Sequence, residues 1–211
     1  MSEKLSELLK YPARMRRSMG FGIHSPFAFN LITKVIREKE AVYYAYAEIA
    51  AFCPKARRAG FNEIFAGLDL SIPEAQLIFR LLCHFNPAHI IECGHGHEVT
   101  GIIFSRAVPN AEVHYWNFSD SEIEPLEGEP LVLVNRRAAG KTEVLGEALS
   151  GLMAKQDIVV VVRNLHYVED NRRLWEKLMN FKEFGMSFTD GYMGIFVARR
   201  SLPRQDYDLF F

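Results

Sequence analysis

AHIIECGHGHEVTGIIFSRAV, residues 88–108, is the stretch that decides the fold class. Its apolar pair Ile90 and Ile91 ends at Glu92 and passes into a loop carrying Gly94 and Gly96. Apolar residues then recur at helical spacing through Val99, Ile102, Ile103 and Ala107. Strand, glycine-bearing loop and helix in that order build a ligand crevice at the carboxyl end of a parallel strand. Glycines let backbone approach a ligand, and the following helix N-terminus offers free N–H groups to acceptors. The third small position of a dinucleotide fingerprint is missing, so the pattern is a crevice without the full glycine signature.

Downstream, the same alternation continues. Patterning predicts a strand over 88–93, a helix over 98–107, and strands over 111–117 and 130–135. A helix over 139–153, a strand over 157–163, a helix over 169–180 and strands over 184–189 and 193–200 follow. This is an α/β chain with a mostly parallel, Rossmann-like sheet of six strands. Asp190-Gly191 marks a tight antiparallel hairpin at its end. The acidic loop SDSEIEPLEGEP, 119–130, has no room for a crossover helix, which breaks the usual rhythm.

Upstream, Ser71-Ile72-Pro73-Glu74 reads as a helix start, with the helix running from Glu74 to Phe85. Residues 1–59 read as a helical arm preceding an α/β domain over 60–211. In the arm, Leu5, Leu8 and Leu9 share one helical face, GFGIHSPFAF (20–29) is a turn-rich hinge, and Leu31, Ile32, Val35 and Ile36 share another face.

Composition sets the outer bounds. The 211 residues are 49% hydrophobic and 24% charged with a net charge of -1, which points to no nucleic-acid partner. No apolar stretch approaches the ~20 residues that span a bilayer, and the N-terminus carries no signal-peptide pattern. Cys53, Cys83 and Cys93 are an odd number without CxxC spacing and read as reduced, mostly buried thiols, so a cytoplasmic location is expected.

Four segments together resemble the class I S-adenosylmethionine-dependent methyltransferases, and more closely a bacterial branch similar to small-molecule O-methyltransferases. RRSMGFGIHSPFAFNLITKVIRE resembles that branch's arm with its His24–Phe27 hinge, and IIECGHGHEVT stands at the family's first motif. VVRNLHYVEDNRRLWEKL, 161–178, resembles the fifth-strand motif, and FTDGYMGIFVARRSLP the closing hairpin. The resemblance implies S-adenosylmethionine as cofactor, held around Glu92, Gly94, His95, Gly96, Asn117 and Asn135.

The departures from the family pattern concern charge. The second strand, VHYWNF, offers Asn117 where a carboxylate usually holds the ribose. Asn135, Arg136 and Arg137 follow the strand whose end usually carries an Asp, and Arg163 and Asn164 replace the usual Asp pair. The cofactor carries a sulfonium and an amine, so losing three carboxylates and gaining arginines reverses the polarity of the crevice. Residues 118–129 are also too few for the helix and strand expected there, which predicts a sheet lacking one edge strand.

Individual residues carry competing readings. Gly94-His95-Gly96-His97, with Glu98, His24 or His166, suggests a metal, but His-x-His lacks a known zinc spacing, and an exposed loop is the reading adopted, with no metal expected. Ala139-Gly140-Lys141-Thr142 mimics the end of a phosphate loop, yet Asn135 stands where its first glycine is needed. His166 reads equally as a general base or as a residue holding its loop, so no catalytic residue is assigned. Arg136, Arg137, Arg163, Asn164 and His166 are candidates for an anionic small molecule. The alternative for Arg163 is internal pairing, for instance with Glu92 one strand away.

The reading adopted is a methyltransferase-like protein whose cofactor site is degenerate and whose catalysis is lost. An active O-methyltransferase is the first alternative. The second is a non-catalytic interaction module, whose arm and exposed Leu209-Phe210-Phe211 dock a partner or a second copy.

Overall fold

Ile158–Val162 is an uninterrupted β-branched run, and Leu131–Val134 is almost as apolar. Strands of this kind are stable only where both faces are covered, which places them at the centre of a layered α/β molecule. The computed structural model describes residues 3–38, 43–58, 70–94, 98–116, 122–135 and 141–211, with backbone alone for 3–10, 54–58 and 98.

The elements are α1 (Glu3–Ser18), α2 (Pro26–Leu31) continuing into a π-helical turn (Ile32–Ile36), α3 (Tyr44–Arg58), α4 (Ile72–Phe85) and β1 (His89–Cys93). Then come α5 (Glu98–Ala107), β2 (Glu112–Trp116), β3 (Leu131–Val134), α6 (Thr142–Lys155) and β4 (Ile158–Val162). The chain closes with α7 (Glu169–Met179), β5 (Met186–Thr189), β6 (Gly194–Ala198) and β7 (Gln205–Asp208). The seven strands form one sheet in the order β2-β1-β3-β4-β6-β5-β7. β2, β1, β3 and β4 are mutually parallel, β6 runs antiparallel to both β4 and β5, and β7 is parallel to β5. This is an α/β fold with a mixed sheet, compatible with a Rossmann-like arrangement.

Alternation along the strands sorts the core into two layers. Ile90, Leu131, Leu133, Val159 and Val161 pack with residues of α2 to α5 on one face. Ile91, Val132, Val134, Val160 and Val162 pack with residues of α6 and α7 on the other. Leu31, Ile32, Val35 and Ile36 are all buried in the first layer. The N-terminus of α4 carries a capping box, in which Ser71 and Glu74 satisfy each other's backbone N–H groups. Arg80 of α4 donates to the carbonyls of Val35 (2.7 Å) and Ile36 (3.2 Å), satisfying acceptors at the end of the π-helical turn.

The structure corrects the expected strand inventory. Among the described residues the sheet has seven strands rather than six, because Gln205–Asp208 pairs with β5 at the edge far from β2. Its sequence, QDYD, has no apolar run, so periodicity misses it. Between Trp116 and Leu131, described residues 122–130 form neither helix nor strand, leaving β2 at its own edge. A second correction concerns the chain end. Leu209 is buried, not exposed, and its N–H bonds the Thr189 carbonyl at 2.8 Å. Phe210 lies against Tyr11 and under Arg14. Among the described residues, no helix is long and apolar enough to cross a membrane.

Candidate functional site

Glu92 is the fourth residue of β1, and its side chain points away from the layer that holds Ile91 and Cys93. Asn135 directly follows β3, with its N–H on the Cys93 carbonyl at 3.0 Å. Arg163 directly follows β4, with its N–H on the Val134 carbonyl at 3.1 Å. These bonds continue the ladder one step past each strand. Period-two alternation therefore turns Glu92, Asn135 and Arg163 to the same face, toward α4 and α5.

There they form a buried polar chain. Asn135 Nδ2 donates to Glu92 Oε1 at 2.7 Å, and Arg163 Nη1 donates to Asn135 Oδ1. Arg163 Nη2 lies 3.7 Å from Glu74 Oε1, at the first turn of α4. Glu92, Asn135 and Arg163 are all 0% exposed. A guanidinium does not lose its proton in proteins, so its burial demands acidic and polar company. Glu74 and the Asn135-linked Glu92 provide it. Burial raises the Glu92 carboxyl above its ordinary value, opposed by hydrogen bonds with Thr100 and Asn135 and by the charge of Arg163. Cys93, buried beside it, has its thiol pushed up by burial and by Glu92, so it stays protonated.

From the other layer, Asn171 of α7 closes the ends of β3 and β4. Its Nδ2 donates to the Asn135 carbonyl at 3.0 Å and to the Arg163 carbonyl at 2.7 Å. No motif in the sequence singles out Asn171. The available signal was its place on the buried stripe Asn171, Leu174, Trp175 and Leu178, where an amide needs a partner.

Of the other candidates, Gly94, Asn164 and His166 are among the described residues. Gly94 has φ +101°, as a glycine-permitted turn after β1 requires. Asn164 adopts a left-handed φ of +58°, and its carbonyl accepts from Tyr167 (3.1 Å) and Val168 (2.9 Å). Its buried Nδ2 has no hydrogen-bond partner among the described residues. His166 is exposed and packs against the rings of Tyr167 and Tyr192, both exposed, rather than entering the buried chain. His95, Gly96, His97, Asn117, Arg136, Arg137, Ala139 and Gly140 lie outside the described residues. Ser25 caps α2, accepting from the Ala28 N–H at 3.2 Å.

No protein-family model matches the chain, and no curated protein is significantly similar to it.

Proposed function

We propose that this protein is a divergent S-adenosylmethionine-dependent methyltransferase-like protein in which the cofactor crevice has become a buried polar network and methyl transfer has been lost. The observation that carries this reading is the complete burial of Arg163, joined through Asn135 to Glu92. Glu92 is the one acidic residue retained at the ends of the strands in question, and it already serves as an internal partner. A sulfonium brought near the fixed, buried guanidinium of Arg163 would be repelled by it, and like-charge repulsion is stronger in a buried site than in water. Asn171, bonded to the backbone ends of β3 and β4, further supports a crevice occupied by the protein's own groups.

Calorimetric titration of the full chain with S-adenosylmethionine and S-adenosylhomocysteine tests the proposal. Weak or absent binding is expected. A submicromolar dissociation constant, or cofactor retained through purification, overturns it in favour of an active O-methyltransferase. An anionic small molecule remains part of the proposal through the sequence positions of Arg136 and Arg137. Phosphate-dependent thermal shifts test that part, and a blank there leaves the interaction module as the better reading.

A further inference from the structure

A second cluster of chemically capable side chains lies at the opposite end of β1, three residues or about 10 Å along the strand from Glu92. His89 pairs in register with Glu112 across the parallel β1–β2 ladder, and Ile91 pairs with His114. Side chains of paired residues in a parallel ladder share a face, and so do Glu112 and His114, two residues apart. The three side chains therefore converge on one face at the outer corner of the sheet, where β2 is the edge strand.

The distances suit a metal. His89 Nδ1 and His114 Nε2 are 3.1 Å apart. Glu112 places Oε2 3.7 Å from His89 Nδ1 and Oε1 4.0 Å from His114 Nε2. Ligand atoms about 2.1 Å from a tetrahedral zinc ion are about 3.4 Å from one another, so small side-chain movements bring all three into range. Two imidazoles and one carboxylate suit zinc, whereas calcium and magnesium prefer all-oxygen sites. The side chains of His89, His114 and Glu112 are 17%, 33% and 68% exposed, which leaves an entry path and room for a water ligand.

We infer that His89, Glu112 and His114 bind one zinc ion, with a solvent molecule in the fourth position. The ion clasps edge strand β2 to β1. Neither the glycine-rich loop nor the proposed cofactor crevice takes part, so this inference stands independently of the proposed function.

The test is calorimetric titration of the full chain, free of any histidine tag, with zinc chloride. It is repeated on His114→Ala, Glu112→Gln and the exposed-site control His84→Ala. One ion per chain is expected for wild type and the control. Both site variants should bind more than roughly tenfold more weakly, since even outer-shell partners are worth that much. Cobalt substituted for zinc should give the intense visible absorption of a four-coordinate site in wild type and lose it in both variants. Glu112 is largely exposed, so its replacement tests the site without endangering the fold. Absence of zinc binding to wild type, or retained affinity in either site variant, overturns the assignment.

Discussion

Glu92 sits where opposing influences meet: burial, which favours its neutral form, and the hydrogen bonds with Thr100 and Asn135 and the Arg163 charge, which favour its ionised form. Burial wins, so its folded pKa lies above the unfolded value. The sign follows by linkage: stability from this group is fully present below the unfolded pKa and declines as pH rises through the raised folded one. Glu92→Gln can still accept from Asn135 but does not titrate. Denaturant unfolding measured between about pH 4 and 8 should show wild type losing stability relative to Glu92→Gln as pH rises. Parallel curves for the two proteins would refute this. Asp190 is also raised by burial, and the comparison of wild type with a single variant cancels its contribution.

At the scale of elements, the β5–β6 hairpin and α7 meet at one tight point. A Cβ built on Gly194 would lie 2.5 Å from two ring carbons of Trp175, far inside ordinary contact. Trp175 sits in the core layer with Leu174 and Leu178 and has little freedom to move. Gly194→Ala should therefore destabilise the protein by about 1–3 kcal/mol, read as a lower urea midpoint with unchanged slope. Gly151→Ala, on α6 with open space around its Cβ, should be neutral or stabilising by up to ~1 kcal/mol. Equal effects at the two sites would mean that the Trp175 contact does not control the pairing of helix and hairpin.

For the whole molecule, the longest-range connection joins the two ends of the chain. Arg14 of α1 donates to the carbonyls of Leu209 (2.7 Å) and Asp190 (3.1 Å), lies 2.8 Å from the Asp208 carboxylate and stacks over Phe210. Ser18 accepts the Phe210 N–H at 2.7 Å. A charge-assisted bond contributes ~1.5–3 kcal/mol, so Arg14→Ala should speed hydrogen exchange in β7 by roughly tenfold or more. Amides of β1, β3 and β4 should not change, because they open only with the core. Unchanged β7 exchange would show that α1 does not hold that edge. Periodicity together with cap and turn residues predicts the α/β class, helices over 74–85, 98–107 and 169–180, and the Asp190-Gly191 hairpin, and the structure has these helices at Ile72–Phe85, Glu98–Ala107 and Glu169–Met179. Each of these is written in the spacing of neighbouring residues. The sequence also put Glu92, Asn135 and Arg163 at strand ends and raised internal pairing of Arg163, but with Glu92 as an adjacent-strand partner. The strand order shows β3 between them, with Asn135 as the bridge. Only tertiary structure decided β7, the burial of Leu209, the Asn171 closure and the meeting of His89 with His114. A polar segment becomes a strand only when an edge offers it unpaired backbone groups, and a buried polar residue is defined by partners far away in sequence.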